Sequence, residues 1–142
     1  MKVKDIMTRG AISISADETA EVAARTLTQY NIGALPVCGA DGKLCGMVTD
    51  RDLVIRCMAS GKLPANTKVR EIMTGQVTSV KPDMEAGVAA HLMGRQQIRR
   101  LPVTENGRLC GMVSLGDLAV REESVMDAAD ALMDITSNIS ER

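Results

Sequence analysis

The sequence predicts an α+β protein built from two copies of a β-α-β-β-α unit, packed sheet to sheet about a pseudo-two-fold axis. The main observation is that the phrase CGMVTDRDL in the first half of the chain returns in the second half as CGMVSLGDL. Residues 3–37 and 69–103 match at 14 of 35 positions, and residues 42–54 and 107–119 match at 8 of 13. Agreement over such a length indicates a duplicated structural unit.

Each unit is predicted to begin with a short strand and an amphipathic helix. The strand-like segments are AISIS and VTSVK. They precede ETAEVAARTLTQYN and MEAGVAAHLMGRQQ, in which apolar residues recur at helical spacing. Asp17 and Asp83 stand directly before these helical segments, so we expect them to be the N-caps.

The rest of each unit is predicted to be a β-hairpin followed by a second helix. ALPV and RLPV lead through the turns ADGK and ENGR into LCGMV, which is typical of a hairpin. The second helices are RDLVIRCMAS and GDLAVREESV, and Gly61 and Pro64 mark the connection between units. The predicted organisation is repeat 1 over residues 1–60, a linker over 61–68, repeat 2 over 69–123 and a C-terminal helical tail over 124–142.

Composition limits the kind of protein. A unit of about 50 residues buries too little apolar surface to be stable alone, so the pair is expected to fold together. The chain has ten Met and no Phe or Trp, so aliphatic side chains and Met must fill the core. No apolar run approaches the ~20 residues of a membrane span, and the N-terminus lacks a secretory signal, so we expect a cytoplasmic protein. The net charge of -1 argues against general nucleic-acid binding.

The residues that could carry metal or catalytic chemistry form no recognisable set. Cys38, Cys45, Cys57 and Cys110 include no C-x-x-C pair, and His91 is the only histidine. We therefore expect no metal site, no required cofactor and no catalytic pair of nucleophile and base, and hence no enzyme. Cys45 and Cys110 occupy equivalent strand positions, which suits small buried hydrophobic residues, while Cys38 or Cys57 can be exposed.

The repeated phrase carries a hydroxyl and a carboxylate at a fixed spacing. Thr49 and Asp52 in the first copy, and Ser114 and Asp117 in the second, stand where a strand runs into a helix. A hydroxyl and free backbone N–H groups there suit a phosphate, and a carboxylate one turn later can accept both hydroxyl protons of a ribose. The same spacing is close to that of a capping box, which needs no ligand. The sequence leaves both interpretations open, and both can hold at once.

The duplicated unit resembles a known family. DIMT, NIGALPV and GMVTDRDL, followed by EIMT, QIRRLPV and GMVSLGDL, are similar to a tandem pair of cystathionine-β-synthase (CBS) domains, also called a Bateman module, as found in small stand-alone bacterial proteins. The resemblance covers nearly the whole chain. It implies that an adenosyl nucleotide such as AMP or ATP binds between the units and that the protein is a homodimer shaped as a two-fold disc. A signal would then pass through an unidentified partner protein or the quaternary state.

The resemblance also implies which residues meet the nucleotide. The hydroxyl–aspartate motif of one unit cooperates with the first strand of the other unit and with the residues before its LPV sequence. Two sites follow from that crossing. Site A combines Thr49, Asp52, Val77, Thr78, Ile98, Arg99 and Arg100. Site B combines Ala11, Ile12, Ile32, Gly33, Ala34, Ser114 and Asp117.

The two sites differ in charge. Arg99 and Arg100 of the second repeat correspond to Gly33 and Ala34 of the first. A guanidinium binds phosphate oxygens through two parallel hydrogen bonds, so site A is expected to take a phosphate and site B an uncharged adenosyl group or nothing. The alternative for the arginines is a solvated strand end. The alternative function is a structural or stress-response interaction protein without nucleotide binding.

Overall fold

The computed structural model describes residues 1–121 and 124–140. Its strands fall into two three-stranded sheets, β1-β6-β5 and β2-β3-β4, which confirms the α+β class. The strands are β1 (Thr8–Arg9), β2 (Ile14–Ser15), β3 (Ala34–Cys38), β4 (Leu44–Thr49), β5 (Arg100–Glu105) and β6 (Arg108–Ser114). The α-helices are α1 (Ala20–Tyr30), α2 (Asp50–Asp52), α3 (Val69–Ile72), α4 (Ala86–Gln96), α5 (Leu115–Ala119) and α6 (Val125–Ser140). Within the described ranges, no helix has both the length and the apolar character that a membrane crossing requires.

The chain divides into two compact units that do not simply follow the order of the repeats. The N-terminal unit contains Ile12–Val77 and Gly107–Leu109. The C-terminal unit contains Met1–Ala11, Thr78–Asn106 and the described residues from Cys110 onward. The segment that begins each repeat therefore lies in the unit formed mainly by the other repeat. We call these two segments, residues 1–11 and 68–77, the lead-in segments.

Matching contacts hold the two lead-in segments in place. In the C-terminal unit, the Val3 N–H donates to the Met84 carbonyl at 2.9 Å, and the Lys4 ammonium lies 3.0 Å from the Asp83 carboxylate. In the N-terminal unit, the Val69 N–H donates to the Glu18 carbonyl at 2.8 Å, and Arg70 pairs with Asp17. Lys4 and Arg70 occupy equivalent places in the repeats, as do Asp17 and Asp83. Equivalent ion pairs therefore hold the lead-in segment of each repeat in the unit formed mainly by the other repeat.

These contacts correct the predicted N-caps. Helix α1 begins two residues later than expected, because the Thr19 side chain accepts the hydrogen bond from the Val22 N–H at 3.2 Å. Helix α4 follows Glu85, which makes no side-chain capping bond. Asp17 and Asp83 form ion pairs instead of caps. Their hydrogen bonds to Arg70 and Lys4 hold the pKa of both carboxyl groups below its usual value.

The N-terminal unit packs its sheet on helices around an aliphatic core. Strand β2 runs parallel to β3, and β3 runs antiparallel to β4 with an irregularity after Val37. The core includes the fully buried Leu35, Val48, Val69 and Ile72. Helix α2 continues as a π-helix over residues 53–58, so the predicted second helix of the first repeat does form.

In the second repeat, the predicted hairpin is confirmed. Asn106 and Gly107 have φ values of 54° and 80°, and these two residues alone connect β5 to β6. Two consecutive positive φ angles are those of a type I′ turn, which matches the twist of the paired strands. The predicted strand VTSVK is reduced to one parallel bridge between Val80 and Val103. The core is again aliphatic.

The end of the chain differs from the prediction of one helix over GDLAVREESV. Helix α5 ends at Ala119, Glu122 and Glu123 lie outside the described residues, and a separate helix, α6, begins at Val125. Helix α6 packs on α4 and α5. The approach to α4 is close, because a Cβ atom at Gly94 would lie 3.3 Å from the Cα atom of Ala131. The predicted helical tail therefore belongs to the core of the C-terminal unit.

The four cysteines are free thiols, and Cys45, Cys57 and Cys110 belong to the aliphatic cores or pack against them. Cys57 is fully buried, whereas Cys38 is partly exposed. Burial raises the pKa of the Cys45 and Cys110 thiols, which keeps both in the neutral form. Both residues lie in equivalent strands and pack against the aliphatic cores as predicted, but both are partly exposed rather than buried.

Candidate functional site

Both hydroxyl–aspartate motifs form capping boxes. In the first copy, the Thr49 N–H donates to the Asp52 carboxylate at 2.9 Å, and the Asp52 N–H donates to the Thr49 hydroxyl oxygen at 3.1 Å. The equivalent distances for Ser114 and Asp117 are 2.8 and 3.1 Å. The capping-box interpretation is thus confirmed for both copies. In each aspartate one carboxylate oxygen is already used, so a ribose would have to use the other.

The second carboxylate oxygen has different surroundings in the two copies. Asp52 is 8% exposed, and its Oδ1 lies 3.6 Å from the Nε atom of Arg56. Arg56 also donates from its guanidinium to the Met73 carbonyl at 3.1 Å. The Oδ1 atom of Asp117, which is partly exposed, makes no hydrogen bond or ion pair to any residue that the structure describes. The Oδ1 atom of Asp117 is therefore the more accessible acceptor, whereas the Oδ1 atom of Asp52 is held near Arg56.

Backbone pairing places each motif beside the residues that precede LPV in the same unit. In the N-terminal unit, the Asp50 N–H donates to the Gly33 carbonyl at 3.1 Å, and Ala34 lies opposite Thr49 in the β3–β4 pair. Neither Gly33 nor Ala34 carries a side chain that can bind an anion. The strand-to-helix junction of the N-terminal unit is therefore lined by uncharged residues on this side.

The corresponding junction in the C-terminal unit carries two cations. The Leu115 N–H donates to the Arg99 carbonyl at 2.8 Å, which places Arg99 and Arg100 beside the second motif. Both arginines are exposed, and neither makes a salt bridge to any residue in the described ranges. Together with Ser114 they line a cleft of about 510 Å³. Two exposed guanidinium groups beside a cleft are suited to an anionic ligand.

The residues of each predicted site are divided between the two units. Of site A, the N-terminal unit holds Thr49, Asp52 and Val77, and the C-terminal unit holds Thr78, Ile98, Arg99 and Arg100. Of site B, the N-terminal unit holds Ile12, Ile32, Gly33 and Ala34, and the C-terminal unit holds Ala11, Ser114 and Asp117. Within its own unit, each motif lies beside the pre-LPV residues that were assigned to the other site. The joining of the two halves of either site stays a prediction.

Sequence reasoning missed two contributors to these junctions. Arg56 lies one helical turn after Asp52, and a cation at that spacing is a signal that can be read from sequence. The residues of α6 that line the arginine cleft, among them Val125 and Leu132, lie in the predicted helical tail, to which the sequence assigned no site. Their place beside Arg99 depends on how α6 packs, which sequence periodicity does not determine.

Two copies of a helix-and-hairpin unit, each with a hydroxyl–aspartate box at its strand-to-helix junction, define a tandem domain pair. The chain belongs to the CBS domain family, since the model of that family matches residues 3–58 and 69–122. Among its relatives is the CBS domain-containing protein YhcV of Bacillus subtilis, 42% identical over 134 residues that make up 94% of each chain. Hypoxic response protein 1 of Mycobacterium tuberculosis is 36% identical over 116 residues, or 82% of this chain and 81% of that protein.

Solved structures show the same fold. Hypoxic response protein I superposes with a TM-score of 0.78 at 35% identity, over 84% of this chain and 97% of that one. That structure holds two coordinated zinc ions, whereas residues 1–121 and 124–140 here contain no group of three or more His, Cys, Asp or Glu side chains that could hold a metal. The CBS domain pair of protein MJ0100, solved with 5′-methylthioadenosine and S-adenosyl-L-methionine, has a TM-score of 0.74 at 29% identity, over 84% and 93% of the two chains.

Proposed function

We propose that this CBS pair is a non-catalytic regulatory module of the cytoplasm that binds an adenosyl nucleotide and needs no other cofactor. Site A holds the nucleotide: Asp52 accepts the ribose hydroxyls, and Thr49, Arg99 and Arg100 bind the phosphate. Binding then favours one quaternary state or one partner-bound state, by as much as the nucleotide's affinities for the two states differ.

The observation that supports a nucleotide most strongly is that Arg99 and Arg100 are exposed and make no salt bridge to any residue that the structure describes. A surface ion pair contributes only about 0–1 kcal/mol, so exposed guanidinium groups can stay solvated and keep their donors for a ligand. Here Arg99 and Arg100 lie beside a cleft whose described lining contains no acidic residue. The adenosyl ligands of the MJ0100 domain pair add that a related fold accepts the adenosine part of such a molecule.

The second candidate is a structural or interaction protein that binds no nucleotide. The capping boxes favour it, because they give Thr49, Asp52, Ser114 and Asp117 a role that requires no ligand. Binding of labelled AMP, ATP and S-adenosylmethionine to the purified protein separates the two candidates. Saturable binding of any of the three at one or two molecules per chain supports the first, and no binding at millimolar ligand supports the second.

Asp52→Ala is expected to weaken AMP binding by about 1.5–3 kcal/mol, the usual value of a hydrogen bond to a charged group. Isothermal titration calorimetry measures the loss. The same change removes the capping box at α2 and should lower the free energy of unfolding by about 1 kcal/mol. Asp52→Asn serves as the control, because its amide oxygen can still accept from the Thr49 N–H. We expect the asparagine variant to keep most of the stability but not the affinity. If the alanine variant binds AMP as tightly as the parent protein, Asp52 does not bind the ribose.

A homodimer is part of the proposal, and the N-terminal unit offers a surface for it. Val54, Ile55 and Met58 on the π-helix are 55, 46 and 67% exposed. We expect light scattering to give the mass of a dimer at micromolar concentration, and Ile55→Asp with Met58→Asp to give a monomer. Leu63→Asp, at a 66% exposed position outside the helix, is the matched control. A monomeric parent protein would contradict the dimer.

A further inference from the structure

The arginine cleft of the C-terminal unit differs in residue types from the corresponding strand-to-helix junction of the first repeat. Arg99 and Arg100 replace Gly33 and Ala34, and Leu115 replaces the acidic Asp50. Helix α6, which closes one side of the cleft, has no equivalent in the first repeat. These replacements and the added helix give this junction two guanidinium groups and an apolar wall, although Arg51 of the first repeat is replaced here by Gly116.

The lining of the cleft has a polar end and an apolar body. Arg99, Arg100 and Ser114 form the polar end, and no acidic side chain is among the described residues that line it. The apolar body is formed by Leu115, Ala119, Val125, Ala128, Ala129 and Leu132. Val125 and Leu132 of α6 are 42 and 43% exposed, so the wall that α6 contributes is open to a ligand.

We propose that this cleft is a binding site for an amphipathic organic anion, with a phosphate or carboxylate on the guanidinium groups and an apolar group against α5 and α6. The volume of about 510 Å³ lies in the range of small-molecule pockets, so it is large enough for an aromatic ring or a short acyl chain. The site is built entirely within the C-terminal unit. It goes beyond the proposed nucleotide site, with which it shares the two arginines but neither Thr49 nor Asp52.

Each part of the lining has a distinct role in this site. A guanidinium provides a planar pair of donors for two oxygens of a phosphate or carboxylate, which fixes the orientation of the anion. Transfer of the apolar group from water to the wall of Leu115 and Leu132 supplies further binding energy in proportion to the area buried. A bare inorganic anion can use only the first of these contributions. The cleft should therefore prefer an anion with an apolar group over inorganic phosphate.

NMR titration of the full chain with phenyl phosphate, phenylacetate and inorganic phosphate tests the proposal. We expect phenyl phosphate or phenylacetate to saturate one site per chain and to bind about tenfold tighter than inorganic phosphate. Phenylacetate compared with phenyl phosphate shows whether the site prefers a carboxylate or a phosphate. Equal, weak binding of all three probes would overturn the proposal.

Variants of α6 locate the binding. Leu132→Asp places a negative charge in the cleft and should weaken binding of the preferred probe at least about tenfold. Met133→Asp, on the adjacent residue, is 66% exposed and does not line the cleft, so it should leave binding unchanged. Ala129→Phe fills the cleft without adding charge and provides a second blocking variant. Unchanged binding in both Leu132→Asp and Ala129→Phe, with folding verified by circular dichroism, would overturn the proposal.

The two proposals can fail separately. AMP binding that depends on Asp52 reports on site A, whereas phenyl phosphate or phenylacetate binding that depends on Leu132 reports on the cleft. If AMP does not bind but phenyl phosphate or phenylacetate does, the nucleotide function is rejected and the cleft proposal stands. The reverse result rejects the cleft alone.

Discussion

Replacing Arg99 and Arg100 together with alanine is expected to have the largest effect on AMP binding, about 1–3 kcal/mol for each guanidinium. The reason is that the described structure offers these side chains no internal ion pair, so their charge remains available to a phosphate. Calorimetry at low and high salt should show that the parent protein loses AMP affinity as salt rises, because exposed charges are screened. The double variant should lose most of that salt dependence along with the affinity.

Two controls make the result specific. Adenosine, which lacks the phosphate, should bind parent and double variant with similar affinity. Arg95→Ala removes an exposed cation from the last turn of α4 and should leave AMP binding unchanged. If the double variant keeps both the affinity and the salt dependence of the parent, the nucleotide binds elsewhere and the arginines are ordinary surface residues.

The second large effect concerns stability and the glycine of the repeated phrase. A Cβ atom at Gly46 would lie 2.7 Å from the Thr74 carbonyl oxygen, and one at Gly111 would lie 2.7 Å from the Thr8 carbonyl oxygen. Thr74 and Thr8 are equivalent residues of the lead-in segments, which pair with β4 and β6. Gly46→Val and Gly111→Val should each lower the free energy of unfolding by about 1–3 kcal/mol, since the lead-in segment must move away.

Chemical denaturation followed by circular dichroism measures this loss. Gly75→Val is the matched control, because a Cβ atom at Gly75 would meet nothing within 4 Å. We expect that variant to be nearly as stable as the parent. A Gly111→Val protein with parental stability would show that the lead-in segment does not need its close approach to β6.

The glycine, hydroxyl and aspartate residues of the repeated motif therefore each have a structural role. The glycine allows the lead-in segment to lie close beside the strand with which it pairs. The hydroxyl and the aspartate cap the next helix, with hydrogen bonds of 2.8–3.1 Å in both copies. Such features follow from local geometry, which is why spacing alone predicted the capping box and the hairpin. A ligand adds a further constraint on the same residues only where Arg99 and Arg100 provide the charge.

The sequence by itself determined the duplication, the main helix and hairpin of each repeat, the aliphatic core and the asymmetry in charge between the repeats. Each of these is a local or periodic property, carried by residues close together in the chain. Only the tertiary structure decided that each lead-in segment lies in the unit of the other repeat. The repeats share the same apolar pattern there, so local preference cannot distinguish the two arrangements. The choice is seen in contacts distant in sequence, such as Lys4 with Asp83 and Arg70 with Asp17.

The same reason explains the other differences. Asp17 and Asp83 precede helices and are good N-caps by local preference. Their carboxylates instead form ion pairs with Arg70 and Lys4 of the lead-in segments. Helix α6 is amphipathic in sequence, but only its packing on α4 and α5 places Leu132 beside Arg99 and so forms the cleft. Which faces of two helices meet depends on the shapes of both, such as the close approach at Gly94, and is decided when the core is packed.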